Sequence, residues 1–415
     1  MTASFSRALP LWIAFAAGCG ARSMLAAGEP PAGTGGATTT TSSATTGATT
    51  STTTSATGTG GALPACSPNF VGQEVVIGVP DVLARRPALV AVGSSAALVF
   101  GADTTSSADP SRLGQTFISA PWDEWPTNID TPIPIATDGG RAFAAAPLGT
   151  ATYALAWSPL ASGSKVFLDE AVNPQATAGG GLLSFGGEVF ALSISSGRRV
   201  VGVREQSPSG AYTARFAWLE GAAPSPAPCA SAPLTGHLFP RGDTFFAAVS
   251  DDPTGTCAGA PTALRLYPRF PEPATVVIPL DEEVRRVRVA PRGTGAWVVS
   301  QSHVQEPASF VRVDPVLADG TIDPQFGTFH PALTADTDID AVALGDKLAI
   351  AVILQQGKRL HLVVVEPDGL RSTLDLDVTD LIEELSLLAS PDGRMLLIAW
   401  TDVAKGNLHF VRVGC

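Results

Sequence analysis

Charged side chains are scarce in this 415-residue chain, at 15% of the total, and no apolar run approaches the roughly 20 residues that a transmembrane helix needs. Amphipathic helical periodicity is equally rare. Only Asp380–Leu388 (DLIEELSLL) offers a helical turn, and its second half fits a strand better. Positive charge is in deficit as well, with 26 Lys and Arg against 38 Asp and Glu and a net charge of −12. Residues 1–65 carry only Arg7, Arg22 and Glu29, so the acidity belongs to the rest of the chain, which excludes a nucleic-acid partner. The one basic cluster, Arg285, Arg286, Arg288 and Arg292, follows Asp281, Glu282 and Glu283 and reads as ion pairing on a strand.

Chemistry-bearing motifs are missing too. The histidines at 237, 303, 330, 361 and 409 show no HxxxH or HExxH spacing, there is no G-x-S-x-G elbow, and no glycine loop suits a phosphate. His361 and His409 occupy matching places in the repeats described below, which explains them better than shared metal ligation. What is abundant is Gly, 42, and Pro, 34, spread throughout. That composition suits many short strands joined by tight turns.

Residues 1–18 begin with one positive charge, Arg7, followed by a short apolar stretch, Ala8–Ala17, and small residues, the pattern of a cleavable signal peptide. The segment Ala16-Ala17-Gly18-Cys19 resembles the lipobox of bacterial lipoproteins, in which the cysteine thiol receives a diacylglyceryl group and becomes the new N-terminus. The resemblance implies lipidation at Cys19 and membrane attachment through that lipid. Gly20, in place of a retaining Asp, implies the outer membrane or cell surface as the destination. Ala16 stands where Leu is usual, and Leu25-Ala26-Ala27 offers an ordinary cleavage site as the alternative. From Pro30 to Gly61 the chain is nearly all Thr, Ser, Gly and Ala, without periodicity to build a core. Residues 19–65 are therefore expected to form a lipidated, disordered tether, with a taut reach of about 150 Å.

From Cys66 onward a unit recurs: an alternating apolar strand, a Gly or Pro turn, and a denser apolar strand. Copies begin at Ala88, Ile133, Ala191, His237, Arg285, Asp340 and Leu385. Third strands follow at Thr152, Tyr212, Thr262, Ser309, Arg359 and Asn407, and fourth strands at Lys165, Thr275 and Arg371. Antiparallel strands at this period with hardly any helix predict an all-β fold over 66–415, a seven-bladed β-propeller. A pair of β-sandwiches is the competing architecture. Ser390-Pro391-Asp392-Gly393 resembles the turn common in TolB-like and WD-repeat propellers. Asp319-Gly320-Thr321-Ile322-Asp323-Pro324-Gln325-Phe326-Gly327 resembles the signature of certain bacterial tandem β repeats. Both resemblances imply the fold and carry no activity.

The last unit stops after its third strand, while an orphan strand, Gln73–Val79, precedes the first. A propeller leaves no open edge when one terminus completes the blade that the other began, so the N-terminal strand is expected to close the last blade. With Cys19 set aside for lipid, four cysteines remain for an oxidising compartment. The closure model places Cys66 beside Cys415 at one turn. It places Cys229 and Cys257 in neighbouring loops on the opposite face. The predicted pairs are therefore Cys66–Cys415 and Cys229–Cys257.

No catalytic residue is assigned and no cofactor is expected, calcium being the one ion considered. Asp336, Asp338 and Asp340 alternate as in calcium loops, but Ala341 and Lys347 stand where an EF-hand needs Gly and Glu, and a turn leading into a strand accounts for them. Arg241-Gly242-Asp243 occupies a repeat turn, which selects its Gly and Asp. The tryptophans at 157, 218, 297 and 400 are expected to pack between blades, and Trp122 and Trp125 to be exposed in a loop. Loops after the second strands are the expected ligand face, carrying Asp103, Asp251, Asp252, Gln301, His303, Gln305, Glu306, Asp402 and Lys405. These features point to an exported, lipid-anchored monomer whose propeller is a non-catalytic binding or scaffold module for a protein or glycan. The alternative is a secreted propeller hydrolase or lyase acting on a polysaccharide, ester or lactone.

Overall fold

A computed structural model of the protein describes residues 66–415 apart from 80–82, 104–111, 124, 126–127, 137–139, 141, 160–164, 175–177, 222–226, 275, 304–308, 333–337 and 356. The chain divides into two units, Met1–Ala62 and Leu63–Cys415. Cys19 and the Thr/Ser/Gly segment lie outside the described residues, as do Gln305, Glu306 and Asp336.

Seven antiparallel sheets follow in chain order. Blade 1 consists of Leu83–Val92, Ser95–Asp103, Arg112–Ile118 and Ile133–Ala136, and blade 2 of Ala142–Pro147, Tyr153–Ser158, Phe167–Val172 and Gly181–Leu182. Blade 3 is Glu188–Ser195, Arg198–Gln206, Tyr212–Trp218 and Cys229–Ala230; blade 4 is Gly236–Arg241, Thr244–Asp251, Ala263–Phe270 and Val276–Pro279. Blade 5 is Glu283–Arg292, Gly295–His303, Ser309–Val316 and Phe329–Ala332; blade 6 is Ile339–Leu344, Lys347–Leu354, Arg359–Val365 and Arg371–Asp377. Blade 7 has Ile382–Ala389, Met395–Asp402 and Leu408–Gly414, completed by Asn69–Phe70 and Val75–Ile77. The first strand of each blade packs on the first strand of the next, and that of blade 7 packs on blade 1. The expected seven-bladed propeller is therefore a closed ring with the first strands innermost.

The repeat alignment slips by one strand in blade 2. Ile133–Ala136, expected to open that blade, instead ends blade 1, where Pro134 and Ile133 lie opposite Gly114 and Gln115. Proline has no N–H to give to a ladder, so Pro134 is tolerated on an outermost strand and not between two partners. The segments expected as third and fourth strands, near Tyr153 and Phe167, are consequently the second and third.

Each blade buries both faces, which is why second strands such as Ser95–Asp103 and Lys347–Leu354 read as nearly unbroken apolar runs. Among the described residues seven apolar clusters form, one at each seam between neighbouring blades. Trp297 shares the seam between blades 5 and 6 with Ile339 and Ile350, and Trp400 joins the seam between blades 6 and 7.

The N-terminal residues close the ring as expected. Asn69 and Phe70 pair with Gly414 and Val413, and Val75, Val76 and Ile77 with Phe410, His409 and Leu408. Cys66 and Cys415 form a disulfide across 349 positions, and Cys229 and Cys257 form a second across 28. The Cys66 N–H donates to Glu366 Oε1 at 2.6 Å, and the Lys347 ammonium lies 3.3 Å from the same oxygen. Trp122 and Trp125 depart from the sequence expectation. They are half-buried against the apolar cluster between blades 7 and 1, as are Val75 and Ile77, and the Trp125 indole donates to Gln73 O at 2.7 Å. Arg412 donates to Pro121 O and Trp122 O, each at 3.2 Å. The loop thus staples the closing strand, giving the aromatic rings an apolar bed and the indole N–H an acceptor. Gly72 has φ +86°, and a Cβ there would sit 2.3 Å from Trp125 Cδ1, so only glycine fits.

Candidate functional site

A first strand in a propeller pairs on one side only, leaving backbone groups along its channel edge that need partners. Here side chains of the preceding blade supply them. Asp338 Oδ2 and Asp340 Oδ2 accept the N–H groups of Leu385 and Leu387 at 3.3 and 2.8 Å, joining blade 6 to blade 7. Glu384 Oε2 and Ser386 Oγ accept those of Arg86 and Leu89 at 2.5 and 3.0 Å, joining blade 7 to blade 1. His237 Nδ1 accepts the Val289 N–H at 3.3 Å, joining blade 4 to blade 5.

Guanidinium groups balance these carboxylates. Arg286 Nε lies 3.1 Å from Asp338, Arg288 Nε 2.6 Å from Asp340, and Arg85 NH1 2.7 Å from Glu383. The result is an arc of alternating charge where the first strands of blades 5, 6, 7 and 1 begin. Arg86 adopts φ 53° within the register shift between Arg85 and Ala88, a left-handed conformation that costs about 1 kcal/mol or more for a non-glycine residue. Similar shifts open the first strands of blades 3, 5 and 7.

The arc shifts its own titrations. Burial, opposed by Arg86 and aided by Asp338, pushes the Glu384 carboxyl up to about 7. Burial also raises Asp338, against Arg286 and Arg288. Burial and then Arg288 push His237 down to about 4, so it is neutral at pH 7. For Glu384 the folded state holds its proton more tightly than the unfolded chain, whose carboxyl titrates near 4.5. This destabilisation is absent below that value, grows as pH rises toward 7, and is complete above it, at about 3 kcal/mol. Glu384→Gln should therefore melt higher than the parent at about pH 8 and alike at about pH 4. A thermal-melt series across that range checks it, and a parallel offset at every pH contradicts it.

Of the calcium candidates, Asp338 and Asp340 already face arginines and backbone N–H groups. Three of the acids expected on an open ligand face, Asp251, Asp252 and Asp402, are turned inward as well. Asp251 accepts the Cys229 N–H at 2.9 Å and pairs with Arg265. Asp252 accepts the N–H groups of Thr254 and Gly259 and the hydroxyls of Thr254 and Thr256, closing the loop that carries Cys257. Asp402 does the same in blade 7 for the N–H groups of Lys405, Gly406 and Asn407. Both aspartates are 1% exposed, as are Asp251 and Gln301. A carboxylate at the end of a second strand therefore caps the following loop, the role Asp and Asn often take beside free N–H groups. Lys405 reaches Asp380 at 2.9 Å. The side chains of Asp103 and His303 are outside the described set.

The motifs singled out in the sequence are structural too. Asp323 and Phe326 of the tandem-repeat signature hold Arg292, by an ion pair at 2.9 Å and a ring contact at 4.4 Å. Arg241 donates to the carbonyls of Pro268, Ala318 and Thr294, so its guanidinium is committed to the protein. Two adjoining concavities of about 360 and 380 Å³ lie between blades 2 and 3 and share Glu170 and Arg199. Sequence reading did not single out Glu384, Arg86 or Glu74. Their one signal is position, at the opening of first strands or between the two pieces of the closing strand.

No protein-family model and no curated protein sequence matches the chain. Solved structures do. The WD40 domain of Toxoplasma gondii coronin aligns at 10% identity over 84% of this chain and 87% of that one, with a TM-score of 0.52. A mitotic checkpoint complex chain aligns at 13% over 85% and 97%, TM-score 0.48. A subtype N10 neuraminidase-like protein of A/little yellow-shouldered bat/Guatemala/060/2010 aligns at 11% over 83% and 99%, TM-score 0.41. The likeness to the coronin domain is one of fold.

Proposed function

We propose that this chain is an exported lipoprotein that displays a β-propeller binding or scaffold module at the bacterial envelope, through a lipid on Cys19 and a Thr/Ser/Gly tether. The observation that carries the reading is the cysteine accounting. Two disulfides use all four cysteines after Cys19, suit an oxidising, extracytoplasmic compartment, and leave Cys19 alone inside its lipobox-like segment. The ring is the scaffold, and its ligand is a protein or glycan met at the face formed by the loops after the second strands. One anchoring signal with two or three acyl chains holds a protein on a membrane stably, whereas a single chain does not.

Cys19→Ala tests the reading: expressed in a bacterium with an outer membrane, the parent fractionates with membranes and the variant is released. A variant that stays in the membrane fraction contradicts the anchor. The alternative, a secreted hydrolase or lyase, is favoured by one observation, the near-neutral Glu384 carboxyl beside Asp338 in that arc. Under that reading Glu384→Gln abolishes turnover of a polysaccharide, ester or lactone substrate; under the scaffold reading it changes only the pH dependence of stability.

A further inference from the structure

The outer strand of blade 7 differs from that of blade 6 in being broken in two. Asn69–Phe70 contributes two paired residues and Val75–Ile77 three, whereas the outer strand of blade 6 pairs along seven. Glu74 sits at the break, and its carboxylate meets the most heavily partnered histidine among the described residues. His409 Nδ1 lies 2.6 Å from Glu74 Oε1, and Nε2 lies 3.1 Å from Asp402 Oδ2. The ring stacks on Trp400, with centroids 5.3 Å apart.

A neutral imidazole has one N–H and one lone pair. It can donate to one of these carboxylates only, and must then turn a lone pair toward the other. Both contacts hold together only in the imidazolium. The two acids are not equally dependent on it. Asp402 keeps the N–H groups of Lys405, Gly406 and Asn407 and is 1% exposed. The Glu74 side chain is 38% exposed and can turn to water. Losing the proton therefore loosens the Glu74 arm, which belongs to the closing strand.

We propose that Glu74, His409 and Asp402 form a proton-dependent latch, which grips the N-terminal strand when His409 is charged and lets it fray from blade 7 when His409 is neutral. The charged groups facing the ring are Glu74 from the closing segment and Asp402 from the second strand, with Lys405 beyond Asp402. Burial works against the imidazolium, but the bonds to Glu74 and Asp402 outweigh it and raise the pKa above 6.5. The sign follows: a histidine held charged contributes its stabilisation in full below the unfolded value of 6.5 and loses it as pH rises through the higher folded value. The Cys66–Cys415 disulfide keeps the freed strand attached at its end, so opening exposes the outer edge of Leu408–Gly414 without unfolding the ring. Such an edge accepts an added strand.

Hydrogen exchange of the full-length oxidised protein tests the latch, with rates corrected for intrinsic pH dependence and compared at about pH 6 and about pH 9. The peptide covering 69–77 should lose protection by about tenfold or more at the higher pH, while the outer strand of blade 4, which has no histidine, holds its own. Glu74→Gln, a change at a partly exposed side chain, should reduce that pH effect to about twofold or less. Unchanged protection of 69–77 in the parent overturns the proposal. So does a Glu74→Gln protein that loses protection as steeply as the parent.

Discussion

Cys415→Ser lowers the free energy of unfolding by about 5 kcal/mol, near the top of the range for a single disulfide. The effect is large because Cys66 and Cys415 are 349 positions apart, and the entropy removed from the unfolded chain grows with the logarithm of the loop. Cys257→Ser opens a loop of only 28 positions and should cost less, between about 3 and 4 kcal/mol. Urea denaturation of both variants beside the parent checks the order. Equal losses, or a larger loss for Cys257→Ser, would mean that closure of the ring does not depend on the terminal bond.

Asp402→Ala should cost about 3 kcal/mol or more. Its carboxylate is 1% exposed and accepts three backbone N–H groups and the His409 ring, all of which lose their acceptor when the side chain is cut back. Burial works against the charge of Asp402, yet the donors, led by the Lys405 N–H, hold its pKa below the ordinary carboxylate value. A depressed carboxylate contributes stability that is present above the unfolded value of 3.8 and disappears as pH falls through the folded one. The difference between parent and Asp402→Ala should accordingly shrink at strongly acidic pH. Chemical denaturation near neutrality measures the cost, and a loss under about 1 kcal/mol is incompatible with a buried loop cap.

How far such features can be read in a sequence depends on what makes them periodic. Second strands buried on both sides, such as Leu348–Ile353, leave a long apolar signature, and the turn glycines mark their ends. The closing strand was legible from the missing fourth strand of the last unit. Ile133–Ala136 misled because an apolar four-residue segment looks alike whether it opens one blade or ends another; Pro134, which cannot sit between two partners, was the available clue. The aspartates at 251, 252 and 402 misled for a different reason. Polar residues at a strand end look identical whether they face solvent or turn inward to bind N–H groups. His361 and His409 were matched by position, and the match has a physical counterpart: each meets a carboxylate from the outermost segment of its blade, Asp375 within a strand for one and Glu74 at the break of the closing strand for the other. That Glu74 comes from 335 positions away is a property of closure, which no local pattern contains.

The most direct test of a closed, anchored ring is peptide mapping by mass spectrometry of the unreduced protein extracted from membranes. A closed, anchored ring yields a Cys66 peptide linked to the Cys415 peptide, a Cys229 peptide linked to Cys257, and a mature N-terminus at Cys19 carrying acyl chains. Cys19 found in a disulfide, or Cys66 joined to any cysteine other than Cys415, would contradict it.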